Sequence, residues 1–113
     1  MIKMKETMDE LHIKELEDYR TGMQILSLRD KYDNIEFSKL TYSKNPIVTY
    51  TADKNPEHFI FIEWLDTPNK YRGKGYASKL LSYLKNKYPS KVLIANANSY
   101  SKNILQKYGV VET

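Results

Sequence analysis

The sequence predicts an α/β domain. It is a mixed sheet with antiparallel strands in its N-terminal half, a β-α-β unit after them, and a helix near the C-terminus. Three stretches carry that prediction. Phe59-Ile60-Phe61-Ile62-Glu63-Trp64-Leu65 is almost wholly apolar, as in a strand covered on both faces. Tyr76, Ala77, Leu80, Leu81, Leu84 and Tyr88 share one helical face, with Lys79, Ser82, Lys85 and Asn86 on the other, and Pro89 ends the run. Val92-Leu93-Ile94-Ala95 is a second short apolar run, expected to lie parallel to the first through a right-handed crossover. A chain of 113 residues has room for one core, so a single domain over 1–113 is expected. Its N-terminal helices and hairpin fall within 1–57, and its β-α-β half within 58–113.

The remaining elements follow in chain order. Thr7-Met8-Asp9-Glu10 has the form of a capping box, in which Thr7 and Glu10 satisfy the first turn, so a helix is expected to start there. Met8, Leu11, Leu16 and Tyr19 would be its apolar stripe and Gly22 its stop. Met23 to Tyr32 fits a short helix or a strand equally well. Ile35 to Tyr42 and Ile47 to Thr51 read as two strands around the turn Ser43-Lys44-Asn45-Pro46, an antiparallel hairpin. Asp53-Lys54-Asn55-Pro56 is a second turn leading into the Phe59–Leu65 strand, where Trp64 is expected in the core. Near the end, Asn98 or Ser99 would cap a helix containing Ile104, Leu105 and Tyr108, with Gly109 closing it.

Composition narrows the function classes. Hydrophobic residues make up 41% and charged residues 28%, ordinary for a folded globule. No apolar run reaches the roughly 18 residues of a membrane span, and the N-terminus lacks the apolar stretch of a secretory signal. With no cysteine there is no disulfide, thiolate nucleophile or Cys-ligated metal, which fits a reducing cytoplasm. His12 and His58 are isolated, so no metal site is expected. The net charge of +4 is unevenly spread. Residues 1–68 hold 9 basic and 13 acidic groups, whereas residues 69–113 hold 9 basic groups and only Glu112. A C-terminal half at +8 points to an anion there: a phosphorylated ligand, a nucleic acid or an acidic partner.

The chemistry sits between the first buried strand and the helix, at Arg72-Gly73-Lys74-Gly75. A helix N-terminus offers backbone N–H groups and the positive end of the dipole, and so takes phosphate readily. Glycines there let a bulky anion approach the backbone. The loop is neither a dinucleotide fingerprint, since a third glycine is missing, nor a P-loop, since Gly-Lys-Ser/Thr is missing.

Arg72-Gly73-Lys74-Gly75-Tyr76-Ala77 resembles the Arg/Gln-x-x-Gly-x-Gly/Ala signature of the GCN5-related N-acetyltransferases. Beyond the next strand, Asn98, Ser101 and Lys107-Tyr108-Gly109-Val110 resemble that family's last-helix segment. The resemblance is specific over about residues 58–110; earlier, only the order of strand, one or two helices and three-stranded meander is shared. It implies acetyl-CoA as acyl donor. The amides from Arg72 through Gly73, Lys74, Gly75 and Tyr76 to Ala77 would hold the pyrophosphate, with Ser78 nearby. The pantetheine would lie along Leu65, Asp66 and Thr67, and Asn98 and Ser101 would touch the cofactor from the last helix.

The family's reaction needs a deprotonated amine, a stabilised oxyanion and a proton for the leaving thiolate. Glu63, the one carboxylate inside its strand, is the candidate base. Many relatives carry a tyrosine acid where this chain has Leu105, so Tyr108, one turn on, is the candidate replacement. Little chain follows the last helix, whereas the family usually continues into two more strands. The acceptor site is therefore expected to be open or completed by a second copy in a homodimer. The resemblance implies an amine acceptor on a small molecule, a peptide or aminoacyl-tRNA; the competing reading is the same GNAT-like fold, weak or inactive in catalysis, kept for binding a macromolecular partner.

Overall fold

The computed structural model describes residues 10–44, 56–95 and 102–112. Their strands are β1 (His12–Glu17), β2 (Gln24–Arg29), β3 (Glu36–Ser43), β4 (Phe59–Asp66), β5 (Val92–Ala95) and β6 (Val111–Glu112); their helices are α1 (Tyr76–Lys87) and α2 (Lys102–Lys107). The strands form one sheet in the order β1-β2-β3-β4-β5-β6. β1 to β4 are antiparallel neighbours, and β4-β5 and β5-β6 are parallel. Thus the mixed sheet, the β-α-β unit and the helix after it all stand as expected, and one two-residue strand follows the last helix. Among the described residues no helix is long and apolar enough to cross a membrane.

The N-terminal half departs from the sequence reading. Where a helix from Thr7 to Gly22 was expected, residues 12–17 form the edge strand among the described residues and residues 18–23 a tight connection straight into β2; Thr7 to Asp9 lie outside the described residues. No helix separates β1 from β2, in contrast to the family order. Gly22 does not stop a helix: at φ +76° it turns a hairpin loop. The loop is closed by Asp18 N–H to Met23 O (2.9 Å) and Gly22 N–H to Asp18 O (2.7 Å), and the Asp18 carboxylate accepts from Arg20 N–H. Such a left-handed position costs glycine little. Pairing of Ile13 with Leu28 and Glu15 with Leu26 then overrides the helical spacing, as tertiary pairing commonly does. The ambiguous segment from Met23 is also a strand. Of the expected hairpin, Ile47 to Thr51 lie outside the described residues, and β3 finds its antiparallel partners in β2 and β4.

Register decides which side chains share a face. Leu26 opposes Leu40, Tyr42 opposes Ile62, and Ile60 and Ile62 oppose Leu93 and Ala95, so these residues line one side of the sheet. All are at most 4% exposed. α1 lays Tyr76, Leu80, Leu81 and Leu84 on that side, and Leu105 of α2 with Val110 completes the main core. Each fully buried leucine there is worth roughly 1.5–3 kcal/mol. The opposite face holds a smaller cluster of Phe59, Phe61 and Ile94. Trp64 belongs to neither; it is 61% exposed, which corrects the expectation of a core tryptophan.

β1 is also tied to α1. The Glu15 carboxylate accepts from the Tyr83 phenol and the Lys87 ammonium. Lys87 first, then Tyr83, holds the Glu15 carboxyl below the usual carboxylate range. A depressed carboxyl pKa stabilises the fold above its unfolded value, near 4.3, and that contribution is lost as pH falls further. Glu15→Gln is therefore expected to cost about 1 kcal/mol or less at pH 7, because the pair is half exposed and screened. Melting curves of the two proteins should converge as pH drops below about 4.

Candidate active site

β4 and β5 stay paired from Phe59–Val92 to Ile62–Ala95, where the described parallel ladder ends while β4 runs on to Asp66. Beyond β4 the chain makes a short 3-10 turn, Asn69–Tyr71, and then passes through Arg72, Gly73 and Lys74 to Gly75, the N-cap of α1. Between the end of β4 and the start of α1 lies a cavity of about 350 Å³. Leu65 and Thr67 form one wall, Gly73, Gly75, Tyr76, Ala77 and Ser78 another, with Tyr71, Arg72 and Ile104 around them.

Two devices hold this geometry. Beneath the loop, Phe37 meets Tyr71 edge-on at 5.0 Å between ring centroids and Tyr76 at 4.9 Å, so the first residue of the helix is anchored by aromatic packing. At the end of β4 there is a polar clasp. The Ser38 hydroxyl donates to the Asp66 carbonyl at 3.2 Å and lies 2.7 Å from the Thr67 hydroxyl, and both side chains are buried. Arg72 Nε donates to the Thr67 carbonyl at 2.8 Å, pinning the loop back onto the strand it leaves.

The start of α1 is shaped for an anion. Gly73 and Gly75 both have φ +81°, and a Cβ built on either would meet nothing within 4 Å, so the space beside them is open. Gly75 offers no side chain to cap the helix, and the first turn contains no acidic residue. The first intrahelical bond of this turn is Lys79 N–H to Gly75 O at 3.1 Å, which leaves the N–H groups before it without acceptors inside the helix. Together with the dipole, such N–H groups are able to take the oxygens of an anion such as phosphate.

Of the residues that the sequence singled out for the donor, the cavity collects Leu65, Thr67, Arg72, Gly73, Gly75, Tyr76, Ala77 and Ser78. Asp66 and Lys74 are exposed beside it, and Asn98 and Ser101 lie outside the described residues. Glu63 sits elsewhere. In the β3-β4 ladder Trp64 pairs with Thr41 and Ile62 with Tyr42, so Glu63 is the extra residue of a β-bulge. Its carboxylate accepts from the Ser43 hydroxyl at 3.1 Å. Ser43 pairs with Phe61, on the face away from α1, so Glu63 reaches round to the side opposite the donor cavity.

The structure does not bring Tyr108 into the donor cavity. It faces a second, shallower hollow with Ser78, Ser82 and Lys79. There the Ser82 and Ser78 hydroxyls, with help from Lys107, hold its phenol below the ordinary tyrosine pKa. Those serines belong to the first two turns of α1, so the phenol stands beside the start of that helix and away from the end of β4. Leu105 is buried in the core, and Ile104 of α2 stands on the cavity wall. Sequence reasoning missed Ser38, Tyr71 and Ile104. Only Tyr71, next to the glycine loop, carried any local signal.

No protein-family model matches the sequence, and no curated protein matches it either. Solved structures do. The aminoglycoside N-acetyltransferase AAC(6')-Iy, in complex with a CoA-based bisubstrate analogue, superposes with TM-score 0.67 at 11% identity, over 91% of this chain and 92% of the other. A predicted acetyltransferase of Clostridium acetobutylicum, solved with acetyl-CoA, gives TM-score 0.58 at 20% identity, over 84% of this chain and 62% of its own. An integron cassette protein of V. cholerae gives 0.59 at 13% identity, over 88% and 82%. With the antiparallel-then-parallel sheet and the glycine-opened helix in place, the chain has the fold of the GCN5-related N-acetyltransferases.

Proposed function

We propose that the protein is an N-acetyltransferase that moves the acetyl group of acetyl-CoA onto an amine. The observation that carries this reading is the uncapped, glycine-opened N-terminus of α1 facing the end of β4 across one cavity. Backbone N–H groups from Gly73 to Ser78 hold the pyrophosphate, and the basic C-terminal half favours a ligand with several phosphate charges. The pantetheine arm runs along Leu65, Asp66 and Thr67, whose backbone is fixed by the Ser38–Thr67–Arg72 clasp. The sequence resemblance adds Asn98 and Ser101 as cofactor contacts. That the solved neighbours include proteins with CoA and acetyl-CoA bound supports the same assignment.

The acceptor comes from the opposite face of the sheet, where Glu63 takes its ammonium proton. The freed nitrogen attacks the thioester carbonyl carbon, a C–N bond forms as the C–S bond breaks, and the backbone at the end of β4 steadies the oxyanion. The thiolate takes, through water, the second proton that the nitrogen sheds as the amide forms, since Ile104 and Leu105 carry none to give and Tyr108 lies outside the donor cavity.

Calorimetric titration with acetyl-CoA tests the reading. Micromolar, salt-sensitive binding is expected. A folded protein that takes up no heat from acetyl-CoA would overturn it.

A further inference from the structure

Trp64 is the only tryptophan of the chain, and it stands 61% exposed on a strand whose other end is buried. An isolated exposed aromatic is unremarkable by itself. This one is held out by the bulge at Glu63, and bulges commonly re-aim side chains beside working sites. Trp64 pairs with Thr41, and Glu63 bonds Ser43 two residues along the same strand, so the indole and the carboxylate share the face away from α1. Leu65, the next residue, points the other way into the donor cavity. Three consecutive residues thus present a carboxylate and an indole on one side of β4 and a cavity wall on the other. Asp66 returns to the indole's face and there opposes Lys39, whereas Glu63, the extra residue of the bulge, has no cation of the described residues opposite it.

A carboxylate and an exposed indole are two separate attractions for positive charge, one ionic and one through the ring face. We infer that Glu63 and Trp64 form the acceptor subsite, and that it takes an amine carrying a second ammonium group a short alkyl chain away. This rests on the acyl-transfer reading and specifies its substrate class. The nitrogen beside Glu63 gives up its proton to the carboxylate and attacks the thioester; the other nitrogen keeps its proton and rests over the indole. A single amine satisfies Glu63 and leaves Trp64 idle.

Because Trp64 is the sole tryptophan, protein fluorescence reads this subsite directly. The protein, saturated with CoA to prevent turnover, is titrated with spermidine, with a short lysine-rich peptide and with butylamine. Spermidine or the peptide should change the tryptophan emission at concentrations at least tenfold lower than butylamine does; which of the two acts at lower concentration identifies the source of the diamine. Glu63→Gln should raise the concentration needed at least tenfold, with an unchanged circular dichroism spectrum as the check on folding. In turnover assays Trp64→Leu should raise KM for the diamine far more than it lowers kcat. Emission that stays silent to both spermidine and the peptide, or that answers butylamine equally, overturns the subsite. The acetyl-CoA titration reads the other side of the sheet, so a protein that binds acetyl-CoA with a silent Trp64 loses this inference alone.

Discussion

Gly75→Glu should lose acetyl-CoA binding by more than about 100-fold, or roughly 2.7 kcal/mol. Two effects act at this position, and they must be separated. The backbone sits at φ +81°, where any side chain costs roughly 1–2 kcal/mol of folding stability. The glutamate also sends a carboxylate towards the N–H groups that would otherwise hold phosphate. Gly75→Ala carries the strain without the charge, and its Cβ meets no protein atom within 4 Å. Both variants should therefore melt a few degrees below the wild type, whereas only Gly75→Glu should abolish the calorimetric signal. If the two lose binding equally, the loss comes from strain in the loop, and the helix N-terminus is not where the anion sits.

What could be read from the sequence divides along physical lines. The unit from Phe59 to Ala95 was legible because every level agrees. Its strands are nearly all apolar, its helix has one clean face, and glycines stand where the backbone turns left-handed. Most of the residues that line the cavity follow from that unit, since a loop joining the end of a parallel strand to a helix has few places to go. β1 was not legible. An edge strand buries little, so His12–Glu17 carries a weak alternation, and Leu11, Leu16 and Tyr19 happen to fit a helical stripe. Trp64 was misplaced for a related reason. Hydrophobicity assigns it to the core, but the bulge that turns it outward depends on the pairing of β4 with β3, which no local pattern records. The same holds for Ser38. A serine inside a strand looks like an ordinary outward polar residue until Thr67, 29 positions later, is brought to 2.7 Å from it.

That Ser38–Thr67 contact makes a second strong prediction. Both side chains are at most 3% exposed, so removing one hydroxyl takes a buried hydrogen-bond partner from the other. Ser38→Ala and Thr67→Val should each cost about 1–3 kcal/mol in denaturant unfolding. The double variant should cost clearly less than the two together, because it replaces both polar groups with apolar ones of similar shape. The functional consequence follows from where the clasp lies. It holds the Asp66 and Thr67 peptides that border the donor cavity, and Arg72 closes it from the loop side. Loosening it should raise KM for acetyl-CoA several-fold in all three variants, and the double variant should keep that defect even as it regains stability. A role confined to stability predicts the opposite, with KM recovering in step with the melting temperature. The divergence of KM from stability is therefore what would identify the clasp as a device for positioning the donor.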